Sequence, residues 1–288
     1  MLAPSQYDPA VPYDEDQRAA NRARFGRLIA QPETAIDLAL GALIIAADGR
    51  ASVEPSSCLA DLDSLAELVR LRLDIGDPPA MAIDRLHDVL YRESGFRGPT
   101  AAEFHDPRNS LLDVVIARRI GLPISLAIVE LEVAWRIGLP LSGIGLPGHF
   151  IIGGPDGVLL DPTDDGRRLT PDDCQALIRH AVGEGVLFHS GMLRPASKRA
   201  ILTRVLRNLQ SAHLAARDWP AALGAVELLA VVEPTDPDHG RDRGLLLGRM
   251  GRFGEAISAL ARYIEERPDA RDATDVQQVM AILGGRRN

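Results

Sequence analysis

The chain has 288 residues, 46% of them hydrophobic and 25% charged, the composition of a folded globular protein long enough for one large or two modest domains. Its net charge of −8 argues against nucleic acid or an anionic membrane as the principal partner, because both require a positive surface. Cys58 and Cys174 are too few and too far apart for a disulfide scaffold or a cysteine metal site, which fits a reducing cytoplasm.

Residues 1–15 contain Pro and Asp without periodicity and are expected to be flexible. No basic segment followed by an apolar run reads as a signal peptide there, and the apolar stretch from Leu38 to Ala47 is too short to span a bilayer. A cytoplasmic location is therefore expected. Two helical patterns follow up to about Gly49, the second, from Thr34, apolar enough for a core. Further helices are predicted from about Leu62 to Leu73 and from Pro79 to Tyr91, the latter with Pro79 at its start and Gly95 beyond its end.

Residues 96–105 have no period and read as a loop. Asp106-Pro-Arg-Asn-Ser110 then opens another helix, through Leu111 to Arg119. Either Asp106 caps it with Pro107 at the first position, or Ser110 caps it with Asp113 three residues on.

The central stretch is Gly121 to Pro140. Pro123 suits a first helical position, Gly138-Leu-Pro140 supplies the stop, and Leu126, Ala127, Ile128, Val129, Leu131, Val133, Ala134 and Ile137 are apolar around most of the circumference. A helix packed between other layers is predicted. Ser125 falls in its first turn, where unpaired N–H groups and the helix dipole favour negative charge.

Beyond it, residues 141–146, 149–152 and 158–161 are short, apolar and punctuated by Gly and Pro, and read as an antiparallel meander. The last turn decides whether His149 and Asp161 share a face. A three-residue loop of Gly154, Pro155 and Asp156 sets His149 opposite Asp161, whereas a two-residue loop inverts the strand and separates them.

Past Asp172 the chain returns to helix, and an offset of 34 relates Trp219 to Phe253, Ala222 to Ala256, Val226 to Leu260, Leu229 to Tyr263 and Pro234 to Pro268. These pairs resemble two tetratricopeptide repeats, helix-turn-helix units that bury their faces by stacking. Expected boundaries are 16–190 for a first domain with a helical N-terminal part and 191–288 for the repeats.

Taken together, Gly95-Phe-Arg-Gly98, Asp106-Pro-Arg-Asn-Ser110, Gly121-Leu-Pro-Ile-Ser125-Leu, Arg136-Ile-Gly-Leu139, Leu146-Pro-Gly-His-Phe150 and Asp161-Pro162 resemble the SirB-type bacterial family over roughly residues 30 to 270. That family has a transglutaminase-like domain followed by tetratricopeptide repeats. The resemblance implies an α+β fold: a papain-like core with a central helix on a small antiparallel sheet, then an all-α repeat region. It also implies a Cys, His and Asp site, whose positions here hold Ser125, His149 and Asp161. Two departures stand out. Serine replaces the nucleophilic cysteine, and Asp161-Pro-Thr-Asp-Asp-Gly166 differs from the Asp-Pro-Phe continuation of the family.

A thiol with a reference pKa near 8.5 can rest as a thiolate beside a helix N-terminus and an imidazolium. A serine hydroxyl cannot, and needs His149 as a base during attack, with Asp161 orienting the ring. Each residue also has a plainer role: Ser125 as a helix-start residue bonded to backbone, His149 as a structural histidine, Asp161 as a turn former. Arg108, Asn109 and Ser110 are candidates to border the same cleft, or to cap and bond internally.

No His-x-x-x-His spacing links His87, His105, His180, His189, His213 or His239, so no metal is expected, and no Gly-rich phosphate loop calls for a cofactor. The preferred expectation is a catalytically degenerate protein whose cleft and repeat surface bind a peptide or protein. The alternatives are a serine-dependent hydrolase or acyltransferase on amide or ester bonds, and a structural scaffold.

Overall fold

The computed structural model describes residues 15–48, 50 and 53–287. Residues 1–14 of the expected flexible N-terminus lie outside the described residues. The chain divides into two compact units: residues 33–46 and 53–205 form one, and residues 15–32, 47–48, 50 and 206–287 the other. Helix α1 (Glu15–Ile29) groups with the second unit, although the sequence placed it with the first domain. Among the described residues no helix is long and apolar enough to cross a membrane.

The first unit is α+β. It holds α2 (Leu38–Ala46), α3 (Pro55–Arg70), α4 (Pro79–His87), α5 (Leu112–Arg118) and α6 (Pro123–Arg136) ahead of its sheet. Helix α3 starts seven residues before its predicted position because Pro55 occupies the first turn, where a missing N–H costs nothing. Helix α4 is prolonged by a π-helical turn, Asp88–Glu93, which runs two residues past the predicted end at Tyr91. Asp106 caps a short 3₁₀ turn, Pro107–Ser110, accepting from Arg108 N–H, and α5 starts only after it with Leu111 at its cap. The choice between Asp106 and Ser110 as cap is thus settled for Asp106, on a separate turn.

Helix α6 is the axis of this unit and packs on α3 and on the sheet. All eleven residues from Ile124 to Ala134 are buried, as the apolar circumference predicts. Its end closes with Leu139 N–H donating to Ala134 C=O at 2.9 Å around Gly138, whose φ of +78° is the left-handed turn of a helix stop. Two carboxylates interrupt the apolar run. Glu132 accepts from Ala39 N–H at 2.9 Å, satisfying a donor at the start of α2.

The sheet is a four-stranded antiparallel meander, β1 (Ser142–Leu146), β2 (His149–Gly153), β3 (Leu159–Asp161) and β4 (Arg167–Arg168), in chain order. The last, a two-residue strand, was not predicted. Leu146 pairs with His149 around the turn Pro147-Gly148, in which Gly148 takes φ +71°. Ile144, Leu146, Ile151 and Leu159 form one core with Cys174 and Ile178 of α7 (Pro171–Val182). Thr170 and Asp173 close a capping box on α7. Burial pushes the Cys174 thiol up, so this cysteine acts as a core residue.

Helix α8 (Lys198–Ala216) crosses from one unit to the other between Val205 and Leu206. The second unit continues with α9 (Trp219–Val232), α10 (Asp238–Arg249), α11 (Phe253–Glu266) and α12 (Ala273–Arg287), each packed on the next. The offset of 34 is realised in three dimensions. Ala222 and Val226 share one core with Ala256, Leu260 and Tyr263, with Trp219 and Phe253 packed against it.

Helix α1 packs on α9, which explains its grouping with the repeats. Arg18 forms a buried ion pair with Asp48 at 3.1 Å and donates to Pro220 C=O at 3.1 Å. Both side chains press on α9 at Gly224, where a β-carbon would overlap them.

Candidate functional site

The site positions are set by two local rules, helix start and hairpin register. At the start of α6, Leu122 N–H donates to Asn109 C=O at 3.0 Å, and Ser125 N–H donates to Leu122 C=O at 2.9 Å. The buried 3₁₀ turn thereby abuts the first turn of α6. Ser125 is only 1% exposed, and a β-carbon on Gly121 would lie 3.3 Å from the Ser125 β-carbon. Its hydroxyl makes no hydrogen bond with any described residue, neither to backbone nor to His149.

His149 and Asp161 are brought together. Nε2 of the ring lies 3.1 Å and 3.2 Å from the two carboxylate oxygens. Of the two loop lengths left open by the sequence the hairpin has the three-residue one, but its residues are Pro155–Gly157, one position further along. Gly153 consequently pairs with Leu159, and Ile152 with Leu160. A one-position shift of an odd loop preserves parity, so Asp161 keeps the face of His149 and meets it diagonally.

Asp161 is 3% exposed and also accepts from Thr163 N–H at 2.9 Å and Thr163 Oγ1 at 2.7 Å. Burial pushes its carboxyl up, but the bond and charge of His149 and the two Thr163 bonds outweigh this and hold it below the ordinary aspartate range. The backbone C=O groups of Leu146 and His149 accept from Arg204 Nη2 at 3.0 and 2.7 Å, fixing the turn before the histidine.

Of the candidate cleft residues, Arg108 turns to Asp106, its Nη2 2.7 Å from the carboxylate. Asn109 is fully buried and donates through Nδ2 to Glu103 C=O at 2.7 Å, while its Oδ1 has no partner among the described residues. Ser110 is buried in the same turn. Thr163 and Arg204 were missed by sequence reasoning. Thr163, two residues after Asp161 and directly after Pro162, was legible as part of an Asx-type turn. Arg204 carried no sequence signal.

The donors most like a metal set among the described residues are Glu233, Asp236 and His239 in the second unit, all within 4.8 Å of one another. Glu233 is already engaged by Arg207 at 3.1 Å and by His239 at 3.2 Å.

A family model described as "Transglutaminase-like superfamily" matches residues 56–207, a range that includes Ser125, His149 and Asp161. The chain belongs to the transglutaminase-like superfamily. A tetratricopeptide repeat model matches residues 209–281, so the transglutaminase-like domain is followed by a repeat region. A UPF0162 protein of Xylella fastidiosa is 31% identical over 252 residues, covering 85% of this chain and 89% of the relative. A UPF0162 protein of Pseudomonas aeruginosa is 36% identical over 208 residues, covering 71% and 75%. The mouse F-box only protein 21 is 29% identical over 143 residues, 46% of this chain and 22% of that protein. What this transglutaminase-like chain can do chemically depends on Ser125. An imidazole and a carboxylate stand paired, while the Ser125 hydroxyl is buried and makes no hydrogen bond among the described residues.

Proposed function

We propose that this protein is a catalytically degenerate transglutaminase-like protein that works by binding a peptide or protein partner. One observation carries the reading: Ser125 is 1% exposed, and its buried hydroxyl has no hydrogen-bond partner among the described residues. The field of a helix N-terminus can store a thiolate but not an alkoxide, so a serine there depends on a base within hydrogen-bond reach. With Nε2 of His149 on Asp161, Nδ1 is the ring nitrogen left to serve as that base, and it makes no hydrogen bond to the Ser125 hydroxyl.

The partner chemistry follows from a groove of about 530 Å³ on the repeat unit, lined among others by Leu214, Trp219, Leu245, Arg249, Ile282 and Arg286. Leu214, Leu245 and Ile282 are exposed large apolar side chains, and the two arginines border them. That surface suits an amphipathic segment with an apolar face and a carboxylate beside it. Peptides displayed on phage and selected on the full chain should enrich for this pattern, and a Leu245→Asp variant should fail to retain them. Absence of any enriched pattern, or equal retention by Leu245→Asp, contradicts the assignment.

The second reading, a serine-dependent hydrolase or acyltransferase on amide or ester bonds, is favoured by the intact His149–Asp161 pair. In it Ser125 attacks, His149 moves the proton and Asp161 orients the ring.

A further inference from the structure

A second imidazole–carboxylate pair is buried in the first unit. Glu130, on α6 and 0% exposed, lies 2.9 Å from His87 Nε2 and accepts a hydrogen bond from the Tyr91 hydroxyl. His87 ends α4, and Tyr91 lies in the π-helical turn that prolongs it, an irregularity frequent at functional sites. Their rings lie 5.4 Å apart between centroids.

A fully buried carboxylate is a costly choice for a helix that is otherwise apolar, since a packed hydrocarbon side chain often stabilises as well or better. Glu130 lies within a run, Ile124 to Ala134, that is buried throughout. Its two partners point to what it does. His87 packs its ring on Gly166, which takes φ +71° and where a β-carbon would overlap the imidazole. Gly166 in turn donates its N–H to Asp161 C=O at 3.0 Å, closing the turn that follows β3. Central helix, imidazole, turn and Asp161 therefore form one continuous set of contacts.

We infer that Glu130 and His87 are positioning residues for the His149–Asp161 pair, holding the turn that presents the Asp161 carboxylate. The inference rests on the reading of that pair as the remnant of a site, but not on any turnover by it. Burial, followed by the charge and hydrogen bond of Glu130 and then the charges of Asp161 and Asp165, pushes the Tyr91 hydroxyl well up. Glu130 and Asp161 thus act on one shared neighbour.

The test is a carboxyl NMR titration of the full chain carrying ¹³C-labelled aspartate, with Asp161 assigned through Asp161→Asn. Glu130→Gln replaces one acceptor oxygen by a donor facing His87 or Tyr91, and Gly166→Ala pushes the turn off the imidazole. Both are expected to move the Asp161 midpoint up toward the range of ordinary aspartates, as its bonds from His149 and Thr163 loosen. Tyr91→Phe, which removes one donor only, is expected to give a smaller upward shift and serves if Glu130→Gln does not fold. Gly138→Ala is the control, since Gly138 has a similar φ of +78° but open space around it, and it should leave Asp161 unmoved. An unchanged Asp161 midpoint in folded Glu130→Gln or Gly166→Ala overturns the inference, as does an equal shift in Gly138→Ala. Whether Ser125 reacts is read separately, so loss of the binding reading leaves this result intact.

Discussion

Asp161 meets His149 diagonally across the β2–β3 hairpin, its carboxylate oxygens 3.1 and 3.2 Å from Nε2. The pairing survives a shift of the loop because the loop stays odd, and the carboxylate also accepts two hydrogen bonds from Thr163.

Because the Asp161 carboxyl is held below its ordinary value in the fold, the unfolded chain binds its proton more readily as the pH falls. The stability contributed is present above the ordinary aspartate pKa of about 3.9 and is lost as pH falls through the lower folded value. Asp161→Asn should therefore unfold in less urea than wild type near neutral pH, and the difference should shrink on acidification. A pH-independent difference would mean that the carboxylate contributes through shape alone.

Gly224 lies inside α9, where alanine is favoured over glycine by about 1 kcal/mol. Gly224→Ala should nevertheless destabilise the protein, because the methyl group overlaps the Arg18–Asp48 ion pair, both of whose side chains are buried. Breaking a buried pair costs about 3–5 kcal/mol, so a net loss of roughly 2 kcal/mol or more is expected in chemical unfolding. A gain in stability would show that α1 does not depend on this contact.

His213 is buried in the second unit, and its Nδ1 lies 3.7 Å from Asp218, beyond hydrogen-bond reach. Burial pushes its imidazole down, against the opposing charge of Asp218. The stability it contributes is present above the ordinary histidine value of about 6.5 and is lost as pH falls through the lower folded value. Trp219 fluorescence in a Trp135→Phe background reports on the repeat unit. It should show stability declining as the pH falls below about 7, with a shallower slope in His213→Gln.

Much of this was legible from the chain alone. The apolar circumference of α6, its Pro and Gly boundaries and the 34-residue offset rest on local rules, and each appears as a buried helix or a shared core. Parity of the hairpin loop was legible as a condition, but its exact position was not, because Gly154 and Gly157 both permit a turn. Glu130 and Arg204 were invisible. A glutamate in an apolar helix and an arginine more than 50 residues from its acceptors acquire meaning only when tertiary packing supplies His87, Tyr91 and the β1–β2 turn. The placement of α1 was hidden for the same reason, as its partner helix lies about 200 residues away.

The central claim is that Ser125 occupies a nucleophile's position without a nucleophile's reactivity, and labelling by a fluorophosphonate probe tests it most directly. Wild type is expected to give no signal above Ser125→Ala, with the fold verified by circular dichroism. Stoichiometric labelling at Ser125 that disappears in both Ser125→Ala and His149→Ala would contradict the account and establish a working serine triad.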